Sequence, residues 1–178
     1  MNKALFLDRD GVINEDRHFV YKKEDVHFND GIFQICKNFY DNGYYLFVIT
    51  NQSGIARGLY SEDDFQKLTR WMHERFLQHG VEIAETYYCP FHPEANIAKY
   101  RRESFDRKPN PGLILKAQKE FELDLAHSVL VGDRGSDITA GKRAGVGMTV
   151  LYKGPYNPER SGADLLINSL YELEQLVQ

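Results

Sequence analysis

The chain has 178 residues, of which 22 are Lys or Arg and 26 Asp or Glu, giving a net charge of -4, and it is 42% hydrophobic. That length suits a single domain over 1–178 with a full core, and the acidic balance argues against a nucleic-acid coat or a basic membrane binder. No run approaches the roughly 18 apolar residues of a membrane span, no leader is read at the N-terminus, and Cys36 and Cys89 make no disulfide framework, so a cytoplasmic protein is expected.

In chain order, apolar runs alternate with helical patterns. Ala4–Leu7 reads as a buried parallel strand that ends in Asp8-Arg9-Asp10-Gly11. Two acids at a strand end repel unless a cation or a proton sits between them, and Gly11 permits a sharp turn. A helix is predicted from about Ile32 to Tyr40, with Asn29 or Asp30 as cap and Gly43 as stop. Tyr45–Ile49 is a second buried strand, running into Thr50-Asn51-Gln52-Ser53-Gly54. Ser61 and Asp64 have the spacing of a capping box, and Phe65, Leu68, Met72 and Phe76 form one helical face.

Ile83–Tyr88 reads as a third strand, followed by a stretch over 89–108 with no clear period, long for a plain connector. Asn110 as cap and Pro111 in the first turn open a helix carrying Leu113, Ile114, Ala117 and Phe121. Ser128–Val131 is a fourth strand, Asp137–Ala144 a short helix stopped by Gly145, and Met148–Tyr152 a fifth strand. Residues 165–176 offer a closing strand and helix. Strands separated by helices throughout predict an α/β fold, a three-layer Rossmann-like sandwich around a central, mostly parallel sheet. Only one helix fits between Asp10 and the second strand, so no large cap domain is expected and the site should be open.

Ligands of open α/β sheets bind at the carboxyl ends of the strands. There the pattern collects Asp8 and Asp10, the hydroxyl and amides of Thr50 and Asn51, Lys108 just before a helix, and Asp133 in Gly132-Asp133-Arg134-Gly135-Ser136-Asp137. Two acids with a hydroxyl and a lysine suit metal-assisted phosphoryl transfer. This ordered set resembles the haloacid dehalogenase superfamily of phosphohydrolases over nearly the whole chain. Within it, Asp8 to Asn14, Thr50 to Gly58, and Cys89-Pro90 with Arg107-Lys108-Pro109 are similar to the D-glycero-D-manno-heptose 1,7-bisphosphate phosphatases, relatives of the histidinol-phosphate phosphatases.

The resemblance implies that Asp8 is the nucleophile and Asp10 the general acid and base, through an aspartyl-phosphate. It implies Mg²⁺ held by Asp8, the main-chain carbonyl of Asp10, and Asp133, with Asp137 in the layer behind. Thr50, Asn51, Gln52, Ser53 and Lys108 are the expected phosphate or substrate contacts. Arg57 and Arg107 are candidates to grip a second phosphate, since guanidinium forks suit phosphate, with Lys153 and Arg160 as weaker candidates. The expected partner is a small phosphorylated sugar, with no nucleic acid or membrane, and the expected state is a monomer. Histidinol-phosphate phosphatase is the second enzyme reading, and a phospho-accepting signalling domain of receiver type is the reading from another class.

The narrower group carries a structural zinc in the long loop, held by a Cys-x-His pair and a Cys-x-Cys pair. Here those positions read Cys89-Pro90-Phe91 and Ser104-Phe105-Asp106, with His92 offset by one. Zinc is therefore expected to be absent, with Phe91, Tyr100 and Phe105 packing against the body as the loop's anchor.

Overall fold

The computed structural model describes residues 1–153 and 162–177. Six strands, β1 (Ala4–Leu7), β2 (Tyr45–Asn51), β3 (Ile83–Cys89), β4 (Val129–Gly132), β5 (Met148–Tyr152) and β6 (Leu165–Ile167), form one all-parallel sheet in the order β3-β2-β1-β4-β5-β6. Around it lie α1 (Ile32–Asp41), α2 (Ser53–Ala56), α3 (Glu62–Gln78), α4 (Gly112–Phe121) and α5 (Gly135–Ala144). Short 3-10 segments occupy Lys23–Asp25, Ala98–Tyr100, Leu125–His127 and Leu170–Leu176.

Strand side chains alternate between two cores. Leu5, Leu7, Leu46, Val48, Val129, Val131, Val150 and Tyr152 pack with α1, α3 and the 170–176 segment, whereas Ala4, Phe6, Phe47, Ile49, Leu130 and Leu151 pack with α4 and α5. Because both faces are covered, these strands read in sequence as continuous apolar runs. The chain winds outward from β1 through β2 to β3 with its helices on one face. It then returns through α4 to β4 beside β1 and winds the other way. The winding reverses between β1 and β4, and the crevice lies at the carboxyl ends of the strands there. Between β1 and β2 the structure places α1 and the Lys23–Asp25 turn, with no cap domain.

The boundaries differ from the sequence reading in instructive places. The cap of α1 is Gly31 at φ +86°, because Asn29 spends its side-chain amide on the Val12 carbonyl at 2.9 Å. Pro111, not Asn110, stands at the head of α4, and the Asn110 amide instead donates to the Ser104 carbonyl at 3.0 Å. Helix α5 starts two residues before Asp137, whose carboxylate accepts the N–H groups of Asp133 and Arg134 at 3.2 and 3.1 Å. The closing helix is of 3-10 type, and the four-residue α2 carries too little periodicity to be read beforehand.

The Ser61–Asp64 capping box is formed, with Asp64 N–H donating to Ser61 Oγ at 3.1 Å and Ser61 N–H to Asp64 Oδ2 at 3.0 Å. Ser61→Ala removes one arm from a helix whose Phe65, Leu68, Met72 and Phe76 are buried. The expected loss is about 1 kcal/mol, read as a lower urea midpoint with an unchanged m-value.

Candidate active site

Four elements bring their ends to one buried lysine. Lys108, 4% exposed, donates from Nζ to Asp8 Oδ1 at 2.9 Å, to the Ile49 carbonyl at 2.9 Å and to Asp137 Oδ1 at 2.6 Å. Asn51 pairs with the Lys108 backbone in both directions, accepting its N–H and donating to its carbonyl, each at 3.0 Å, which ties this segment to β2. Arg9 N–H donates to Asp8 Oδ1 at 2.9 Å, so the carboxylate orientation is set from two sides.

Asp8, Asp133 and Asp137 place carboxylate oxygens within 4.8 Å of one another. Asp137 has no oxygen to spare: Oδ1 takes the lysine and Oδ2 the two N–H groups at the start of α5. Asp133 Oδ1, in contrast, is buried without a hydrogen-bond partner. Glycine permits this crowding. Gly11 has φ +99°, and a Cβ there would stand 2.0 Å from Asp133 Oδ2; a Cβ on Gly132 would stand 2.2 Å from that of Asp137.

Three carboxylates against one ammonium leave two negative charges in a nearly dry place. Burial, then Asp137, push the Asp8 carboxyl up to about 6 against the pull of Lys108. Burial, then Asp8 and Asp137, push Asp133 up to about 9. Burial works against the Lys108 ammonium, but Asp137 and Asp8 outweigh it and keep the lysine charged.

Asp10 lies at the crevice wall with donors on both oxygens. Asn14 Nδ2 and Arg9 Nε reach Oδ1 at 3.1 and 3.2 Å, and Gln52 Nε2 reaches Oδ2 at 3.1 Å. Gln52 also donates to Thr50 Oγ1 at 2.8 Å.

The crevice holds about 460 Å³, and its walls include Asp8, Asp10, Thr50, Asn51, Gln52, Ser53, Arg57, Arg107, Lys108 and Asp137, all marked by the sequence. Asp133 lies behind the wall, next to Asp8. Lys153 stands away from this lining, its N–H on the Ile167 carbonyl at 3.1 Å, and Arg160 lies outside the described residues. Asp16, His18, Phe19, Tyr60, His92, Arg134 and Ser136 also line the crevice and were not singled out as site residues. Asp16 and Arg134 bridge its mouth at 3.0 Å. Nothing local in the sequence marks them, since turn acids and exposed basic residues are common; the positive φ of His18 and Phe19 is a tertiary feature.

Arg57, Arg107 and His92 give the crevice a basic end. Burial first, then Arg107 and Arg57, hold the His92 imidazole below its usual range. Arg107 Nη1 is buried without a partner. In the long loop, Cys89 faces the Phe91 carbonyl, His92 Nδ1 accepts the Glu94 N–H at 3.0 Å, and Asp106 pairs with Lys116 at 2.5 Å. Phe105 is 62% exposed, contrary to its expected anchoring role, because the segment is held through its backbone carbonyl, which accepts the Gly112 N–H at 3.0 Å.

A HAD-hydrolase-like family model matches residues 105–173. The chain is 55% identical over 150 residues, 84% of this chain and 79% of the relative, to the D-glycero-alpha-D-manno-heptose-1,7-bisphosphate 7-phosphatase of Burkholderia mallei. It is 46% identical over 150 residues, 84% of this chain and 81% of the relative, to the D-glycero-beta-D-manno-heptose-1,7-bisphosphate 7-phosphatase of Vibrio cholerae. The crystal structure of a D,D-heptose 1,7-bisphosphate phosphatase from B. bronchiseptica, complexed with magnesium and phosphate, superposes with a TM-score of 0.80 at 27% identity. That match covers 97% of this chain and 96% of the other.

The raised carboxyls make the metal-free fold sensitive to pH. Between the unfolded value of about 4 and the folded value of about 9 for Asp133, the native state holds protons that the unfolded chain has released. Stability therefore falls as pH rises through that window. In chelator, the thermal midpoint is expected to drop from pH 5 to pH 9, and Asp133→Asn to flatten the slope and raise the midpoint at pH 8. A midpoint that rises with pH contradicts this.

Proposed function

The chain belongs to the haloacid dehalogenase-like hydrolases, in the D-glycero-D-manno-heptose 1,7-bisphosphate phosphatase family, and from that membership we propose that it removes the C7 phosphate of this bisphosphate in nucleotide-heptose biosynthesis. It is a phosphoric monoester hydrolase. The observation that carries the proposal is the buried Lys108 bonded to both Asp8 and Asp137, with Asp133 at its side and Asp10 two residues on.

The donor set fits Mg²⁺: oxygen ligands alone, three carboxyl groups against one ammonium, and an unpartnered Asp133 Oδ1. We assign its protein ligands to Asp8, the main-chain carbonyl of Asp10, and Asp133, while Asp137 serves from behind because its oxygens are taken. When bound, the cation would neutralise the acids and withdraw charge from the phosphoryl oxygens.

Asp8 attacks phosphorus, the P–O bond to the sugar breaks, and an aspartyl-phosphate forms. Asp10 gives a proton to the leaving oxygen, then takes one from the water that opens the acyl phosphate. Lys108, the Thr50 hydroxyl and the Asn51 main-chain N–H meet the charge on the equatorial oxygens. Ser53 lies on the same wall, and Arg57 and Arg107 supply the charge for the second phosphate. The named activities of the relatives favour the heptose bisphosphate over histidinol phosphate. The acid at Asp10 favours turnover over a stable receiver-type phospho-aspartate. We place the enzyme in the cytoplasm as a monomer.

We also propose that the loop over 90–107 holds its shape without zinc. The hydroxyls of Tyr88 and Tyr100 both donate to Glu62, at 2.5 and 2.7 Å, and hold that carboxyl below its ordinary range. Arg101 Nε ties the Ala95 carbonyl at 2.7 Å, and Arg102 stacks on Phe91 at 3.8 Å.

Two measurements test these readings. With Mg²⁺, phosphate release is expected to be fastest from one anomer of the heptose 1,7-bisphosphate, leaving the 1-phosphate, and Asp8→Asn to slow it about a thousandfold or more. Weak, even turnover of every sugar phosphate would reject the heptose assignment. Elemental analysis of the purified protein should find far less than one zinc per chain, and Glu62→Ala should raise KM for the bisphosphate; stoichiometric zinc refutes the loop assignment.

A further inference from the structure

In the crevice wall a tyrosine is hydrogen-bonded to the amide of Gln52. Tyr60, 7% exposed, donates its hydroxyl to Gln52 Oε1. Gln52, 2% exposed, is thereby left with its NH₂ group toward Asp10 Oδ2 at 3.1 Å and Thr50 Oγ1 at 2.8 Å. All its polar side-chain atoms are thus engaged inside the protein, although it was expected among the phosphate contacts.

Amide oxygen and nitrogen have nearly the same shape, so the shape of the site does not choose between the two orientations of Gln52. Hydrogen bonding does. A phenol is a strong donor, and burial keeps the Tyr60 hydroxyl protonated. It is itself fixed: its ring stacks on Tyr21 at 5.2 Å, and a Cβ on Gly54 would press within 2.2 Å of the ring.

We propose that Tyr60 is a positioning residue for the proton-transferring carboxylate, acting through Gln52 on Asp10 and, by the same amide, on the Thr50 hydroxyl. With its NH₂ inward, Gln52 holds the Asp10 carboxylate in one rotamer beside the leaving oxygen. Thr50 Oγ1 accepts from Gln52 at 2.8 Å, and its own proton goes to the Asn51 carbonyl at 3.4 Å, a long bond that a phosphate oxygen in the crevice would replace. The hydroxyl that sets both orientations is itself spent on Gln52 Oε1 and acts through that amide. This inference rests on the phosphatase reading above.

The test compares leaving groups. A sugar or alkyl phosphate needs its leaving oxygen protonated; p-nitrophenyl phosphate, with a stable leaving phenolate, hardly does. The parameter is kcat/KM, which reports transfer to Asp8 before the aspartyl-phosphate is hydrolysed. Tyr60→Phe is expected to lower kcat/KM for the alkyl substrate about tenfold and for p-nitrophenyl phosphate less than about twofold. Gln52→Leu should show the same split, and the double variant should be no worse than Gln52→Leu alone. Equal losses on both substrates, no loss, or multiplied losses in the double variant overturn the proposal. Wild-type phosphate release from the sugar phosphate keeps the phosphatase reading separate: its absence refutes that reading, whatever the variants do.

Discussion

The Lys108 ammonium is the interaction on which the site depends. It sits on the approach to α4 yet bonds the acid after β1, a carbonyl of β2 and the first turn of α5. An unpaired charge at that depth costs several kcal/mol, so the lysine is tolerated because its partners are in place, and they in turn because it is. The arrangement remains short of positive charge. On the reading proposed above, a divalent cation would complete it, and the cluster that holds four elements together would then also be a place for an anionic phosphoryl group.

The doubly wound topology makes such a meeting possible. Elements on opposite faces of the sheet come together only where the winding reverses, between β1 and β4. The approach is close enough that Gly11 and Gly132 cannot carry a Cβ without striking Asp133 or Asp137. Backbone compactness here sets electrostatics: glycines bring the acids near enough to repel, and that repulsion is what a cation or a proton relieves.

Around this acidic floor the crevice is asymmetric. Its sheet end carries Asp8 and Asp10, and its rim carries Arg57, Arg107 and His92. On the proposed reading, a bisphosphate would match two such ends, with one phosphate at Asp8 and the other at the guanidinium groups. Beside the rim, Glu62 at the start of α3 gathers the hydroxyls of Tyr88 from β3 and Tyr100 from the long loop. Loops of this kind carry specificity on a rigid scaffold, so a different anchor can serve the same chemistry.

The strand ends determine much from the sequence alone. Apolar runs closing on Asp8, Thr50 and Asp133, and a lysine before a helix, are local patterns that fix both the parallel sheet and the acidic centre, since burial on two faces and chemistry at strand ends leave marks in adjacent residues. In sequence, Phe105 reads as an anchor because it is an aromatic in a polar loop, whereas backbone hydrogen bonding holds that turn and leaves the ring in solvent. The caps of α1 and α4 differ from the sequence pattern because Asn29 is engaged by the Val12 carbonyl after β1 and Asn110 by the Ser104 carbonyl within its own loop. Asp16, His18, Phe19 and Arg134 at the mouth, and Tyr60 behind Gln52, acquire their positions from contacts across the fold. Sequence decided which groups stand at the ends of the strands, because neighbours along the chain set burial and turn. Tertiary structure decided which oxygen faces which donor, because those partners meet only when separate crossovers close over the same crevice.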